Sequence, residues 1–390
     1  MKSGRNADHK RNTGGPVKTN FVELHSLRGI AALIVVSTHF LIVLPQFYSG
    51  VTLHSGWLPI LLKYTPLHVL LGGFGSVVLF FALSGFVLTQ AFLGGTRVAY
   101  GDYLIRRVLR ILPAYWVAIV AAFVMAHMLS GYGDEGLSDW FHTRANQPPP
   151  TLDVLINHLA LIGQFDTRKV NPAVWSLVHE MRISIVFPLL VAFVARHSVP
   201  RVLSIALLLV PLATLLHLLS PGLAATLQFV PIFIFGILLA MHRQAFSDWL
   251  LGKHVAFRIA AAVAAFLVVY YLRTTEMTPL WIGSIVVFVQ GAAATFLMLV
   301  AISSATAGRV LKHRVAYFFG EISYSLYLWH APILFAAIKL LGTLLPLALV
   351  MLIAFCASVI VATLSFHLIE RPFMAIAKGV TSKRRNLVTF

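Results

Sequence analysis

Charge is scarce in this chain of 390 residues. Asp, Glu, Lys and Arg make up 11% of it, against about 25% in an ordinary soluble domain. With 59% hydrophobic residues, it lacks the polar surface that a water-soluble fold of this length exposes. Acid is scarcer still, since 13 Asp and Glu stand against 30 Lys and Arg, a formal charge of +17. Cysteine is nearly absent. The single Cys356 lies inside an apolar run, which excludes an intramolecular disulfide and a cysteine metal cluster and leaves packing as its role. Missing too is the two-residue alternation of a barrel strand. No internal repeat with a period of about 20–50 residues is visible, which argues against transporters built from repeats. The first apolar run outlasts a signal peptide and lacks a small-residue cleavage pattern, so no cleavable leader is expected.

What is present is a succession of long apolar runs. Each is at least the roughly 18 residues needed to cross a hydrocarbon core of about 30 Å. Lipid offers the backbone no hydrogen-bond partner, so such spans must be helices. The expected fold is an all-α integral membrane bundle of about ten transmembrane helices. They are read at about 24–44, 67–93, 109–130, 173–195, 200–219, 224–241, 256–273, 280–302, 317–338 and 346–368. The fifth and sixth contain or adjoin Pro211, Pro221 and Pro231 and are expected to be broken or re-entrant.

Charge placement orients these spans. With both termini cytoplasmic, inner segments collect about 23 of the 30 Lys and Arg residues, the bias that the positive-inside rule expects. The excess of base is therefore a mark of topology rather than of nucleic-acid binding. Residues 1–20 read as a disordered basic cytoplasmic tail, 21–373 as the membrane domain and 374–390 as a basic cytoplasmic tail. The segment 131–172 carries Asp134, Glu135, Asp139, Asp153 and Asp166 and reads as an extracytoplasmic loop. No second soluble domain is expected.

Polar residues inside the spans carry the functional signal. In LRGIAALIVVSTHF, Arg28 and His39 are eleven residues apart. Eleven steps of about 100° end about 20° past three turns, so the two share a face, roughly 16 Å apart along the axis. A snorkelling arginine and a satisfied core histidine are the plain readings. An ionisable pair on one face of a membrane helix points instead to an internal path. In RRVLRILPAYW, Arg106 reads as topological charge. Arg107 and Arg110 share a face at i and i+3 and suit an anionic cofactor. Pro113 is expected to kink that helix.

Residues 74–90 place Gly75, Ser76, Ser84 and Gly85 either in close helix packing or along the wall of a thin ligand. In NPAVWSLVHEMR, Trp175, Ser176, His179 and Glu180 share two turns. Glu180 is expected at the depth of His39, there to orient the imidazole, accept a proton or pair with an arginine. In EISYSLYLWHAPI, Ser323, Ser325, Tyr327 and His330 are expected to line a cavity. In HLIERPF, Glu370 and Arg371 read as a surface charge pair and a helix stop.

These segments, with FFALSGFVLT and VWSLVHE, occur in the order seen in the membrane-bound acyltransferase-3 family, which the chain resembles from about residue 22 to 373. That family O-acetylates surface polysaccharides and acylates antibiotics. Its hallmark of arginine, ten residues and histidine falls on Arg28 and His39, and its RxxR pattern on Arg107 and Arg110. The resemblance implies a multi-pass protein of the cytoplasmic (inner) membrane. It would transfer an acyl group, foremost acetyl, from acetyl-CoA to a hydroxyl of a surface polysaccharide or lipid-linked glycan. Some members carry a further C-terminal soluble domain; lacking one, this chain is expected to serve its acceptor directly or through a partner protein.

In the mechanism that fits this spacing, Arg28, Arg107 and Arg110 hold the nucleotide end of acetyl-CoA. Pantetheine threads a tunnel to His39, the general base, with Glu180 supporting the ring. Ser84, Trp175, Ser325, Tyr327 and His330 are the expected pocket walls. A covalent acyl-histidine is the less economical route. No metal is expected, because the histidines lack the company that ligand spacing requires. The rival readings are a secondary transporter of a sugar or lipid-linked glycan, and a structural or sensory membrane protein.

Overall fold

Backbone amides in lipid must pair within their own segment, and the chain meets that demand with helices throughout. The computed structural model describes residues 21–48, 56–94, 98–130, 136–145, 147–163, 165–272 and 278–388. The basic tail expected at 1–20 lies outside the described residues, as do Asp134 and Glu135 of the acidic loop. The apolar helices, numbered in chain order, are α1 (Val22–Leu41), α2 (Gly73–Thr89), α3 (Tyr100–Met128), α4 (Trp175–Arg196), α5 (Val199–Leu216), α6 (Pro221–Met241), α7 (Val255–Tyr271), α8 (Leu280–Ser303), α9 (Arg314–Leu341) and α10 (Leu347–Ser365). Eight are long and apolar enough to cross a membrane, whereas α2 and α7 are shorter. Among the described residues there is no strand. The protein is a multi-pass helical membrane protein.

Each hydrophobic run became a helix, but three details depart from expectation. Helices α5 and α6 are unbroken, with Pro211 and Pro231 inside them and Pro221 in the first turn of α6, where its missing N–H costs no intrahelical bond. The run that precedes α2 begins as a 3₁₀ turn, Pro66–Leu71. The hydroxyls of Ser37 and Thr38 on α1 donate to its Leu70 carbonyl at 2.8 and 3.0 Å. Finally, HLIERPF does not stop a helix. Phe366–Glu370 is a π-helical turn leading into α11 (Arg371–Val388), so the expected C-terminal tail starts as a helix. Arg106 is more than topological charge, since it anchors α11 through hydrogen bonds to the Thr381 hydroxyl at 2.8 and 2.6 Å.

A line of packed helices, α10, α9, α1, α2 and α6, forms the spine. Two glycine crossings set its tightest contacts. A Cβ on Gly29 would overlap the Gly320 backbone of α9, and one on Gly85 would overlap the Phe233 carbonyl of α6. Bare Cα atoms at these points let backbones meet, as is usual between membrane helices. For Gly85, helix packing is therefore the correct reading, not a ligand wall. The Gly29 crossing also fixes which face of α9 meets α1, and that decides the partner of His39.

Candidate active site

Arg28, one residue before the Gly29 crossing, turns into the bundle. Its Nη2 donates to the Gly320 carbonyl at 2.9 Å, and Nε has no hydrogen-bond partner among the described residues. It lines a cavity of about 440 Å³ together with Ser84, Arg107, Arg110, Glu180 and Tyr327. The plain reading of a snorkelling arginine does not describe it. Arg107 forms an ion pair with Glu180, and its Nε donates to the Ser184 hydroxyl at 2.9 Å. Ser84 donates to the same Glu180 carboxylate at 2.9 Å. Arg110 faces Glu370 at 3.6 Å.

Glu370 overturns the reading of HLIERPF as a surface charge pair. The wide π turn swings it inward, where it is 1% exposed, takes Arg110 rather than Arg371 as its ionic partner, and accepts from Ser325 at 3.2 Å. Three guanidiniums thus face three carboxylates, because Glu321 also lines this inner cavity. Arg107 and Arg110 arrive paired with acids, whereas Arg28 has no ion pair among the described residues.

His39 belongs to a different space. It lines an outer cavity of about 460 Å³ with Trp140, Arg144, Asp166, Arg168, Pro172 and Trp175. Its Nδ1 lies 2.8 Å from Nε2 of His330, whose own Nδ1 is 3.0 Å from the Leu326 carbonyl. A carbonyl can only accept, so Nδ1 of His330 carries a proton, and in the neutral ring Nε2 is then the acceptor. It follows that His39 donates from Nδ1 and that its Nε2 keeps a lone pair. The relay from Leu326 through His330 holds His39 in the tautomer that a base requires.

The group bonded to the His39 ring is therefore His330 and not Glu180. Glu180 is committed to Arg107 and Ser84, at the inner cavity. Arg182 points elsewhere, to the Gly222 carbonyl at 2.9 Å, and His179 turns toward Thr226 at 2.9 Å.

The two cavities share no lining residue, where a single tunnel was expected, and a hydrogen-bonded septum lies between them. The Tyr327 hydroxyl donates to the Ala173 carbonyl and so accepts from the Ser176 hydroxyl at 2.7 Å. Tyr327 and Ser176 line the inner cavity, while Trp175, the residue before Ser176, lines the outer one. The septum is built into the sequence by Pro332, which has no N–H for the Leu328 carbonyl four residues back. Asn171, fully buried, fills that vacancy with its Nδ2 at 2.8 Å and pins the 3₁₀ turn Pro172–Val174 to α9. Replacing Asn171 with leucine leaves a buried carbonyl unpaired, and the expected loss is about 1–3 kcal/mol. Thermal unfolding of the detergent-purified variant measures it.

Of the expected walls, Ser84 and Tyr327 line the inner cavity and Trp175 the outer. Ser325 and His330 line neither. Ser325 bonds Ser365 and Glu370, and His330 is the partner of His39. Among the described residues, no group of three or more His, Cys, Asp or Glu could hold a metal ion. Sequence reasoning missed Glu370, Trp140, Arg144, Asp166 and Arg168 as site residues, reading Asp166 only as part of an extracytoplasmic acidic loop. The aromatic pair Trp140 and Phe141 within a polar loop was the one available signal.

Comparisons with known proteins give the family of the chain. The family model for an acyltransferase domain matches residues 21–367. A Bacillus subtilis (strain 168) protein provisionally named peptidoglycan O-acetyltransferase YrhL is 24% identical over 331 residues, covering 77% of this chain and 50% of the relative. The chain thus spans about half the length of that curated relative. No solved structure matches it significantly. With its model matched over residues 21–367, most of the sequence, the chain belongs to the acyltransferase-3 family.

Proposed function

We propose that this protein transfers an acetyl group from acetyl-CoA to a hydroxyl of a carbohydrate acceptor, a surface polysaccharide or lipid-linked glycan. The observation that carries the reading is the pair of cavities on either side of the Tyr327–Ser176 bridge. One is lined by guanidiniums suited to phosphates, and the other holds the unprotonated Nε2 of His39. The nucleotide end of CoA would meet Arg110 and Arg28 first. Arg107, locked by Glu180, would set the shape of that site. Pantetheine would reach His39 by displacing the Tyr327 side chain from Ser176 and Ala173.

Chemistry follows from the tautomer. Nε2 of His39 removes the proton of the acceptor hydroxyl as its oxygen attacks the thioester carbonyl. Collapse of the tetrahedral adduct breaks the C–S bond, and the imidazolium returns its proton to the departing CoA thiolate. His330 is the positioning residue for both steps.

The topology of this reading has ten crossings, both termini in the cytoplasm and the protein in the cytoplasmic membrane. The charge bias supports it. So does the placement of His39 beside the 136–175 segment, on the side expected to face outward. The name of the Bacillus relative supports a cell-surface glycan as acceptor, which the protein would reach directly or through a partner protein.

One observation favours a second reading, that of a transporter: two polar cavities on either side of the Tyr327–Ser176 bridge also describe an alternating-access path. Reconstitution into vesicles with radiolabelled acetyl-CoA and an oligosaccharide separates the two. Label recovered as an ester on the sugar, with one CoA thiol released per ester, is the expected result. Sugar crossing the membrane while acetyl-CoA stays intact would establish transport instead.

A further inference from the structure

The outer cavity has a charge that neither the family match nor the proposed chemistry assigns. Of its titratable lining groups other than His39, Asp166 and Arg168 satisfy each other. The Arg168 guanidinium forks onto the carboxylate, Nε to Oδ1 at 2.7 Å and Nη2 to Oδ2 at 3.1 Å. The same hydrogen bonds hold the Asp166 carboxyl below its ordinary pKa, so it stays ionised. Arg144 faces this cavity as well but has no ion pair among the described residues. Burial and the nearby Arg168 charge lower its pKa, and Asp166, already forked onto by Arg168, offsets this only in part. One uncompensated positive charge remains, between aromatic walls that focus its field.

Its placement is specific. Arg144 and Trp140 lie at i and i+4 on the short helix Asp139–Ala145, so they share a face. Trp140 stacks on His39, with centroids 5.3 Å apart and planes at 17°. The guanidinium is thus rooted about one helical turn, roughly 6 Å along the axis, from the ring that stacks on the base. Base and guanidinium line the same cavity, so a sugar with a hydroxyl at His39 can present a charged substituent to Arg144. A cavity of about 460 Å³ lies within the range of roughly 300–1,000 Å³ usual for small-ligand sites.

We propose that the outer cavity binds a sugar unit bearing a negative charge, a carboxylate or a phosphate, which Arg144 recognises while Trp140 and Trp175 bound the ring. This rests on the proposed function only in taking the bound sugar as the acceptor. The anion has two sources, a uronic acid or a sugar phosphate, and Arg144 would bond either with two parallel N–H groups.

Three probes with one disaccharide skeleton test it by equilibrium binding to the detergent-purified protein: the neutral sugar, its uronic acid form and its 6-phosphate. Affinity at least about tenfold higher for one or both anions is expected, the worth of one charge-assisted hydrogen bond. The tighter anion identifies the source. R144Q should remove that preference and leave the neutral probe unchanged, while R144K, which keeps the charge, should retain part of it. Equal binding of all three probes, or an R144Q loss that is the same for each, would overturn the assignment. No acetyl-CoA is present, so the outcome is independent of turnover. A protein that prefers anions yet never consumes acetyl-CoA would retire the transferase reading and keep this site.

Discussion

His39→Ala should lower acetyl transfer by about 10²–10⁴-fold, the usual share of a positioned general base, while leaving acetyl-CoA affinity unchanged. The two halves of this expectation have separate origins. His39 lines the outer cavity, and its ring partners His330 and Trp140 do not line the arginine cavity, so its loss removes proton transfer without disturbing the nucleotide end. His330 supplies the finer test. Its removal leaves Nδ1 of His39 without its acceptor and lets the ring turn and take either tautomer. His330→Ala should therefore cost roughly 10-fold or more in kcat, less than loss of the base itself. His330→Gln should recover part of the loss, since the amide oxygen still accepts from Nδ1. A purely structural role for His330 would show as lower stability with no such rescue. Near-normal turnover by His39→Ala would end the base assignment.

Glu180→Ala is expected to be the most destabilising change in the inner cavity. It strands the Arg107 guanidinium, at 8% side-chain exposure, without a counter-charge, and takes the acceptor from Ser84. Breaking a buried pair by deleting one partner costs about 3–5 kcal/mol, and a large drop in the thermal midpoint in detergent should report it. The double replacement Glu180→Leu with Arg107→Met removes both charges together. Apolar residues of similar volume often match or exceed a buried pair in stability, so much of the lost midpoint should return. Acetyl-CoA affinity should not return, because Arg107 no longer shapes the phosphate site. If affinity recovers along with stability, Arg107 is scaffold alone, and the cofactor contact belongs to Arg28 and Arg110.

Both experiments turn on side-chain partners that the sequence did not disclose, and the reason differs between them. Arg28 and His39 could be placed on one face because a helix has a fixed pitch. The distance between them was legible; what lay around them was not. Glu180 was assigned to His39 from its expected depth in the membrane. Depth is a single coordinate, and Arg107 approaches from a helix whose rotation about its own axis it does not specify. Glu370 was misread for a local reason. HLIERPF resembles a polar helix end, but one extra residue in the π turn rotates the carboxylate from surface to interior. The outer cavity was hardest to read, since its polar lining comes from short helices and turns between residues 139 and 172, where no hydrophobic period carries over into position.

From composition and spacing alone came the membrane, the helical spans, the intramembrane arginines and histidine and, through motif order, the family. These depend on lipid's refusal to solvate backbone and charge, a constraint that acts on each segment by itself. Tertiary structure alone decided that His39 answers to His330, that Glu180 answers to Arg107, and that two chambers meet at Tyr327. Those choices follow from where helices cross, at Gly29 against Gly320 and at the Leu328 carbonyl that Pro332 left open to Asn171. A crossing is a property of two surfaces at once, and no single stretch of chain contains it.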